Sequence, residues 1–144
     1  MAHWTMDLTE YAKKKQVEIK EVRKAYAFAL YSSIVKKTPV DTGRARGNWN
    51  VSVGSPDTSV TEEKRKTPKP MSKMPEPKGD ESIFISNNLS YITTLEYGGF
   101  PNPPKKDGGK TANGYSKQAP EGMVGVTLAN NENIFNAAVR SVKK

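Results

Sequence analysis

Thr38-Pro39-Val40-Asp41-Thr42-Gly43-Arg44-Ala45-Arg46-Gly47-Asn48-Trp49 holds a helix stop, a tight turn and a strand start within twelve residues. Pro39 drives Thr38 away from helical angles, so a helix arriving from the N-terminal side ends here. Asp41 and Thr42 carry side-chain oxygens that can accept backbone hydrogen bonds in the turn. Gly43 can adopt the positive φ that such a turn needs. Arg44 and Arg46 are then expected on one side of an emerging strand.

Upstream, residues 8–37 read as one helix. Asp7 and Glu10 have capping-box spacing, and Met6 with Tyr11 fits a hydrophobic staple. Leu8, Tyr11, Ile19, Val22, Tyr26, Leu30 and Ser33 recur at three- and four-residue steps, interrupted by Lys15. Thirty residues make a rod of roughly 45 Å. Residues 12–24 are mostly Lys, Glu and Gln, whereas residues 25–35 are apolar on nearly every face. A helix of that kind must be covered all round. A sheet from the same domain can cover one side, and a second subunit is expected on the other.

Downstream, Trp49, Val51 and Val53 alternate with polar residues, which predicts a strand over about 47–54. A second short strand, Ser82-Ile83-Phe84-Ile85-Ser86, is expected to pair with it as an antiparallel ribbon. Residues 55–80 between them carry five prolines, six Lys/Arg and five acids. Pro excludes a regular central strand there. The segment reads as an extended arm that gains order against neighbouring copies or partners. Leu89 to Tyr97 reads as a short helix with a stop at Gly98-Gly99. Residues 100–117, with three prolines and four lysines, read as a loose loop. A C-terminal helix is expected over about 126–142, with a break at Asn130-Asn131 and a strand before it left open. The sum is an α+β fold in a single domain over 1–144. It has a long N-terminal helix, a small antiparallel sheet, a short middle helix and a C-terminal helix.

Composition narrows the chemistry. The formal net charge is +8 over 144 residues. Residues 1–47 hold ten Lys/Arg against five acids, and residues 100–117 hold four Lys against one Asp. Such charge suits nearness to nucleic acid or to an acidic protein surface, and equally a solvated basic face. There is no cysteine, and His3 is the single histidine, so disulfides, thiolate sites and His-based zinc sites are not expected. No apolar run approaches the roughly 18 residues that span a bilayer. No signal-peptide pattern opens the chain, so a soluble product of a cytoplasm is expected.

Asp41-Thr42-Gly43 matches the triplet of aspartic proteases, and a retroviral-type protease is therefore one alternative. Such an enzyme needs two carboxylates sharing a proton. Arg44 follows the glycine here, and a cation there would keep Asp41 ionised. The architectural role explains more of the surrounding residues. Gly108-Gly109-Lys110-Thr111 resembles only the tail of a phosphate loop. No other catalytic set is visible, and neither a cofactor nor a metal is implied. The nearer alternative, ahead of the remote protease, is a basic protein that binds nucleic acid without reading sequence. Lys13, Lys14, Lys15, Lys20, Arg23 and Lys24 line one helix and would meet phosphates or an acidic partner.

Three blocks taken together resemble one family. They are residues 38–49, Ser86-Asn-Asn-Leu-Ser-Tyr-Ile-Thr-Thr-Leu-Glu-Tyr-Gly98, and Gln118-Ala-Pro-Glu-Gly-Met-Val124 with the helix after it. Their order and content are similar to the neck or tail-completion proteins (minor tail components) of long-tailed bacteriophages and prophages. The resemblance spans most of residues 8–142 and leaves out 55–80 and 100–117. It implies a virion structural protein without enzymatic activity, assembled in a host cytoplasm with no membrane. It implies a homo-oligomeric ring, expected to be hexameric, in the neck around the passing DNA. A head-completion or connector protein would lie on one side and a tail terminator or tail tube protein on the other. The structural and interface candidates are Pro39, Asp41, Thr42, Gly43, Arg44, Trp49, Tyr91, Leu95, Glu96, Tyr97, Gly98, Pro120 and Met123, with the Asp41–Trp49 corner and the Tyr91–Gly98 helix expected to fix the ring's geometry. Arg44 and Glu96 are expected to form an ion pair.

Overall fold

The computed structural model describes residues 2–40, 42–97, 111–112, 115–116 and 122–142, with side chains described for 19–40, 42–97 and 122–142. Helix α1 runs Ala2–Lys37, 36 residues and about 54 Å. It begins six residues earlier than the capping box suggests, so Asp7 lies inside the helix and does not cap it. No Gly or Pro interrupts residues 2–37, and helix extension adds one hydrogen bond per residue fixed. Ile19, Lys20 and Glu21 are exposed, whereas Tyr31, Ile34 and Val35 are buried.

The helix ends as Pro39 requires. Thr38 N–H donates to the Val35 carbonyl at 3.1 Å, and Thr38 Oγ1 donates to the Ile34 carbonyl at 2.7 Å. Gly43 has φ 90°, the left-handed conformation expected of it. It starts a helical turn, α2 (Arg44–Gly47), where a strand was expected. Gly47 N–H closes that turn on the Gly43 carbonyl at 3.0 Å. Arg44 and Arg46 therefore leave from a helical turn and not from one side of a strand. Strand β1 (Asn50–Val53) starts three residues later than the alternation suggests and pairs antiparallel with β2 (Ile83–Ser86). The register sets Val51 opposite Ile85 and Val53 opposite Ile83.

Helix α3 (Ile92–Glu96) is shorter than residues 89–97. Leu89 is buried ahead of it, in a turn where its N–H donates to Asn87 Oδ1 at 3.1 Å. Within the expected loose loop, β3 (Thr111–Ala112) pairs antiparallel with β4 (Tyr115–Ser116). The Asn-Gly sequence between them is a hairpin signal that the Pro and Lys content masked. The rest of 100–117 and the Gly98-Gly99 stop lie outside the described residues. The C-terminal segment forms two helices, α4 (Val124–Ala129) and α5 (Asn131–Val142), so no strand precedes the break. Asn131 fixes that break by donating from Nδ2 to the Leu128 carbonyl at 2.9 Å while its Oδ1 accepts from Tyr26 Oη at 3.2 Å.

The core gathers Tyr31, Ile34, Val35, Ala45, Trp49, Met74, Leu89, Leu95 and Met123. Helix α5 packs along α1, with the Tyr26 and Phe135 rings edge to face at 5.3 Å. The apolar half of α1 is thus flanked by β2 and by the chain's own C-terminal helices.

Candidate functional site

The three sequence blocks converge on one junction. Trp49 Nε1 donates to Thr38 Oγ1 at 2.8 Å, with both residues buried. Asn87 Nδ2 donates to the Ala45 carbonyl at 3.0 Å, joining the second block to the first. Glu96 joins the second to the third. Its Oε2 accepts from the N–H groups of Met123 at 3.0 Å and Val124 at 2.9 Å, and its Oε1 from Gly125 at 2.8 Å. One carboxylate thereby satisfies three donors at the start of α4, which an anion suits. Gly122 has φ 89°, and a Cβ there would stand 2.0 Å from the Glu96 carbonyl oxygen. Only glycine permits this approach.

The expected Arg44–Glu96 ion pair is not formed. Arg44 Nη2 meets Glu62 Oε1 at 3.1 Å on the arm, because Glu96 is committed to backbone N–H groups. Leu95 and Met123 are buried, Tyr91 is half-buried against the core, and Tyr97 is 78% exposed. Pro39 and Gly43 are buried, whereas Thr42 is exposed and accepts from Arg44 N–H at 3.3 Å. Asp41, Gly98 and Pro120 lie outside the described residues, as do the side chains of Lys13, Lys14 and Lys15. Lys20 is exposed. Arg23 donates to the Gly79 carbonyl at 3.0 Å and to the Glu81 carbonyl, and Lys24 pairs with Glu76.

Residues 61–69 of the arm are held by their own chain. Asn48, fully buried, donates to the Thr61 carbonyl at 2.9 Å and accepts the Thr61 N–H at 2.8 Å. Arg65 N–H donates to the Gly43 carbonyl at 3.0 Å. Lys69 N–H donates to Tyr31 Oη at 2.9 Å. Arg46 spans helix and arm, donating to the Lys36 carbonyl at 2.9 Å, the Thr38 carbonyl at 2.7 Å and the Lys66 carbonyl. A guanidinium at the last turn of α1 suits the negative end of the helix. Farther along, Met74 and Pro77 are buried. Neither Arg46 nor Asn48 stood out in the sequence, where both read as polar faces of a strand. No residue-type signal marks them, because their partners are backbone groups.

Gly47 belongs to this clamp. A Cβ at Gly47 would lie 2.1 Å from the Glu63 carbonyl oxygen. Gly47→Ala is therefore expected to lift residues 61–66 off the corner. The arm can leave, so the loss is limited to its docking energy, about 1–3 kcal/mol. Limited proteolysis should cut residues 61–69 faster while the circular dichroism of the helices is kept.

Burial raises the Tyr31 hydroxyl, against a smaller lowering by the Lys69 N–H. Three arm carboxylates are lowered. Hydrogen bonds from Ser59 lower Asp57, the Arg65 guanidinium lowers Glu63, and the Lys24 ammonium lowers Glu76. Groups lowered in the folded state stabilise it above their ordinary values of 3.8 and 4.5. That contribution fades as pH falls through the lower folded values. Acid should thus loosen the arm before the core. Amide protection factors at residues 57–78 are expected to fall from pH 5 toward about pH 3, ahead of those at residues 28–35.

Among the described residues, no three His, Cys, Asp or Glu groups come close enough to hold a metal. None of the described helices is long and apolar enough to cross a membrane. Comparison with protein-family models, curated proteins and solved structures returned no match.

Proposed function

We propose that the chain is a structural joining protein of a long-tailed phage or prophage, one subunit of a ring in the neck between head connector and tail. The single observation that carries this is the convergence of the three blocks through Asn87 on Ala45 and Glu96 on Met123, Val124 and Gly125. Their polar groups are spent on backbone atoms. Glu96 serves as a cap, Asn48 as a clamp and Arg46 as a brace across helix and arm. Such use builds a rigid corner and leaves those groups no reacting partner. The basic alternative draws less support, because Arg23 and Lys24 are engaged with residues 76–81.

The test is made on particles. Mass spectrometry of intact virions from the encoding phage should find the chain. Particles assembled without it should appear as filled heads beside free tails. Complete infectious particles lacking the chain would refute the role.

A further inference from the structure

The small sheet has two outer edges, and that of β2 borders an apolar groove. Gly54 N–H donates to the Ser82 carbonyl at 2.8 Å. With Val53 opposite Ile83, the next hydrogen-bonded pair is Ser52 with Phe84. The N–H and C=O groups of Ile83 and Ile85 therefore point away from β1. Among the described residues they meet no hydrogen-bonding partner. The chain's own arm crosses one face of this ribbon at its end, where the Asp57 carbonyl accepts from Ser86 Oγ at 2.9 Å and the Ser59 carbonyl from Asn50 Nδ2 at 3.5 Å. Beside β2 runs a groove of about 350 Å³, walled by Ile83 and Ile85 on the strand and by Tyr26, Ala27 and Leu30 on α1. Arg23 stands at the end where this groove meets a second hollow beside Lys20.

A complementary edge lies on the arm. Asn48 engages both backbone groups of Thr61 from one side, as a neighbouring strand would. In an extended chain the backbone groups of Val60 and Glu62 then face the other way. Among the described residues these too meet no partner. Val60 is 49% exposed and the Glu62 side chain 85% exposed.

We infer that β2 of one copy takes residues 58–62 of a second copy as a third strand. An unpaired sheet edge is a template for such addition. Val60 enters the apolar groove, and the exposed Glu62 to one side of it lies toward Lys20 and Arg23 at the groove's end. The contact is heterologous, so every copy both offers an arm and accepts one, and repetition closes a ring where the rotation allows. This inference rests on the joining role proposed above, for which it supplies the subunit contact.

Ile83→Pro removes the outward N–H and leaves the bonds to β1 untouched, at the first residue of an edge strand where proline is tolerated. Ile83→Ala trims the same side chain and keeps that N–H. In a sedimentation concentration series, wild type and Ile83→Ala are expected to associate within about tenfold of one another. Ile83→Pro should stay monomeric with unchanged circular dichroism. The chain has no cysteine, so mixing a Val60→Cys protein with an Ile83→Cys or Ile85→Cys protein under oxidant reports only designed contacts. A hetero-linked dimer is expected. Wild type that stays monomeric throughout, Ile83→Pro that associates like wild type, or the absence of the hetero-linked dimer would each overturn the inference. The crosslink decides alone if Ile83→Pro fails to fold. A chain found in virion rings without the crosslink loses this contact and keeps the joining role, whereas absence from virions removes the role itself.

Discussion

Trp49→Ala is expected to cost about 3–5 kcal/mol, the range for deleting a buried aromatic side chain. The indole is 5% exposed and sits in the core cluster with Tyr31, Val35 and Met74. Its ring N–H is bonded to Thr38 Oγ1, which in turn donates to the Ile34 carbonyl. Truncation leaves a cavity and removes the donor that ties the end of α1 to the start of β1. Domains of this size are held by about 5–15 kcal/mol, so about a fifth or more of the stability would go. Trp49→Phe keeps most of the apolar area and gives up the hydrogen bond, for about 1 kcal/mol. Urea denaturation followed by circular dichroism separates the two variants. Equal losses for both would place the weight on the hydrogen bond and not on packing.

Gly122→Ala is the second large effect. A Cβ 2.0 Å from the Glu96 carbonyl oxygen cannot be accommodated by a rotamer change, because the obstacle is backbone. The positive φ adds a penalty of its own, and together they reach about 2–5 kcal/mol. Residues 122–125 must move, and Glu96 then loses its three N–H partners. Glu96→Ala removes the acceptor without the clash and should cost about 1–3 kcal/mol through unsatisfied donors. Amide exchange at residues 123–142 is the measurement. Both variants should raise it there, Gly122→Ala more strongly, with residues 28–35 of α1 protected longest. Unchanged exchange in Gly122→Ala would mean that the third block is not anchored through this contact.

The sequence made α1, the β1–β2 ribbon and the helical C-terminal segment legible, and missed α2 and the β3–β4 hairpin. Pro39 marked the end of α1, and the alternation through Val51, Val53, Ile83 and Ile85 marked the two paired strands. Gly43 was assigned its positive φ from turn chemistry alone. What stayed hidden was every long-range bond from a side chain to a backbone group. Glu96 was matched with Arg44 by charge, yet the N–H groups opening a helix also attract a carboxylate and carry no residue-type signature. Asn48 was read as the polar side of a strand because its partner, the backbone of Thr61, looks the same at any position. The arm's composition correctly excluded a central strand. It gave no sign of where Gly43, Arg46 and Tyr31 would fasten it.

The corner holds residues 61–69 by their amides and carbonyls, at Thr61, Arg65, Lys66 and Lys69. Attachment is therefore largely indifferent to which side chains those positions carry, apart from proline where an amide is needed. Descendants of this gene could repaint that stretch for a new neighbour while the underlying frame stays as it is.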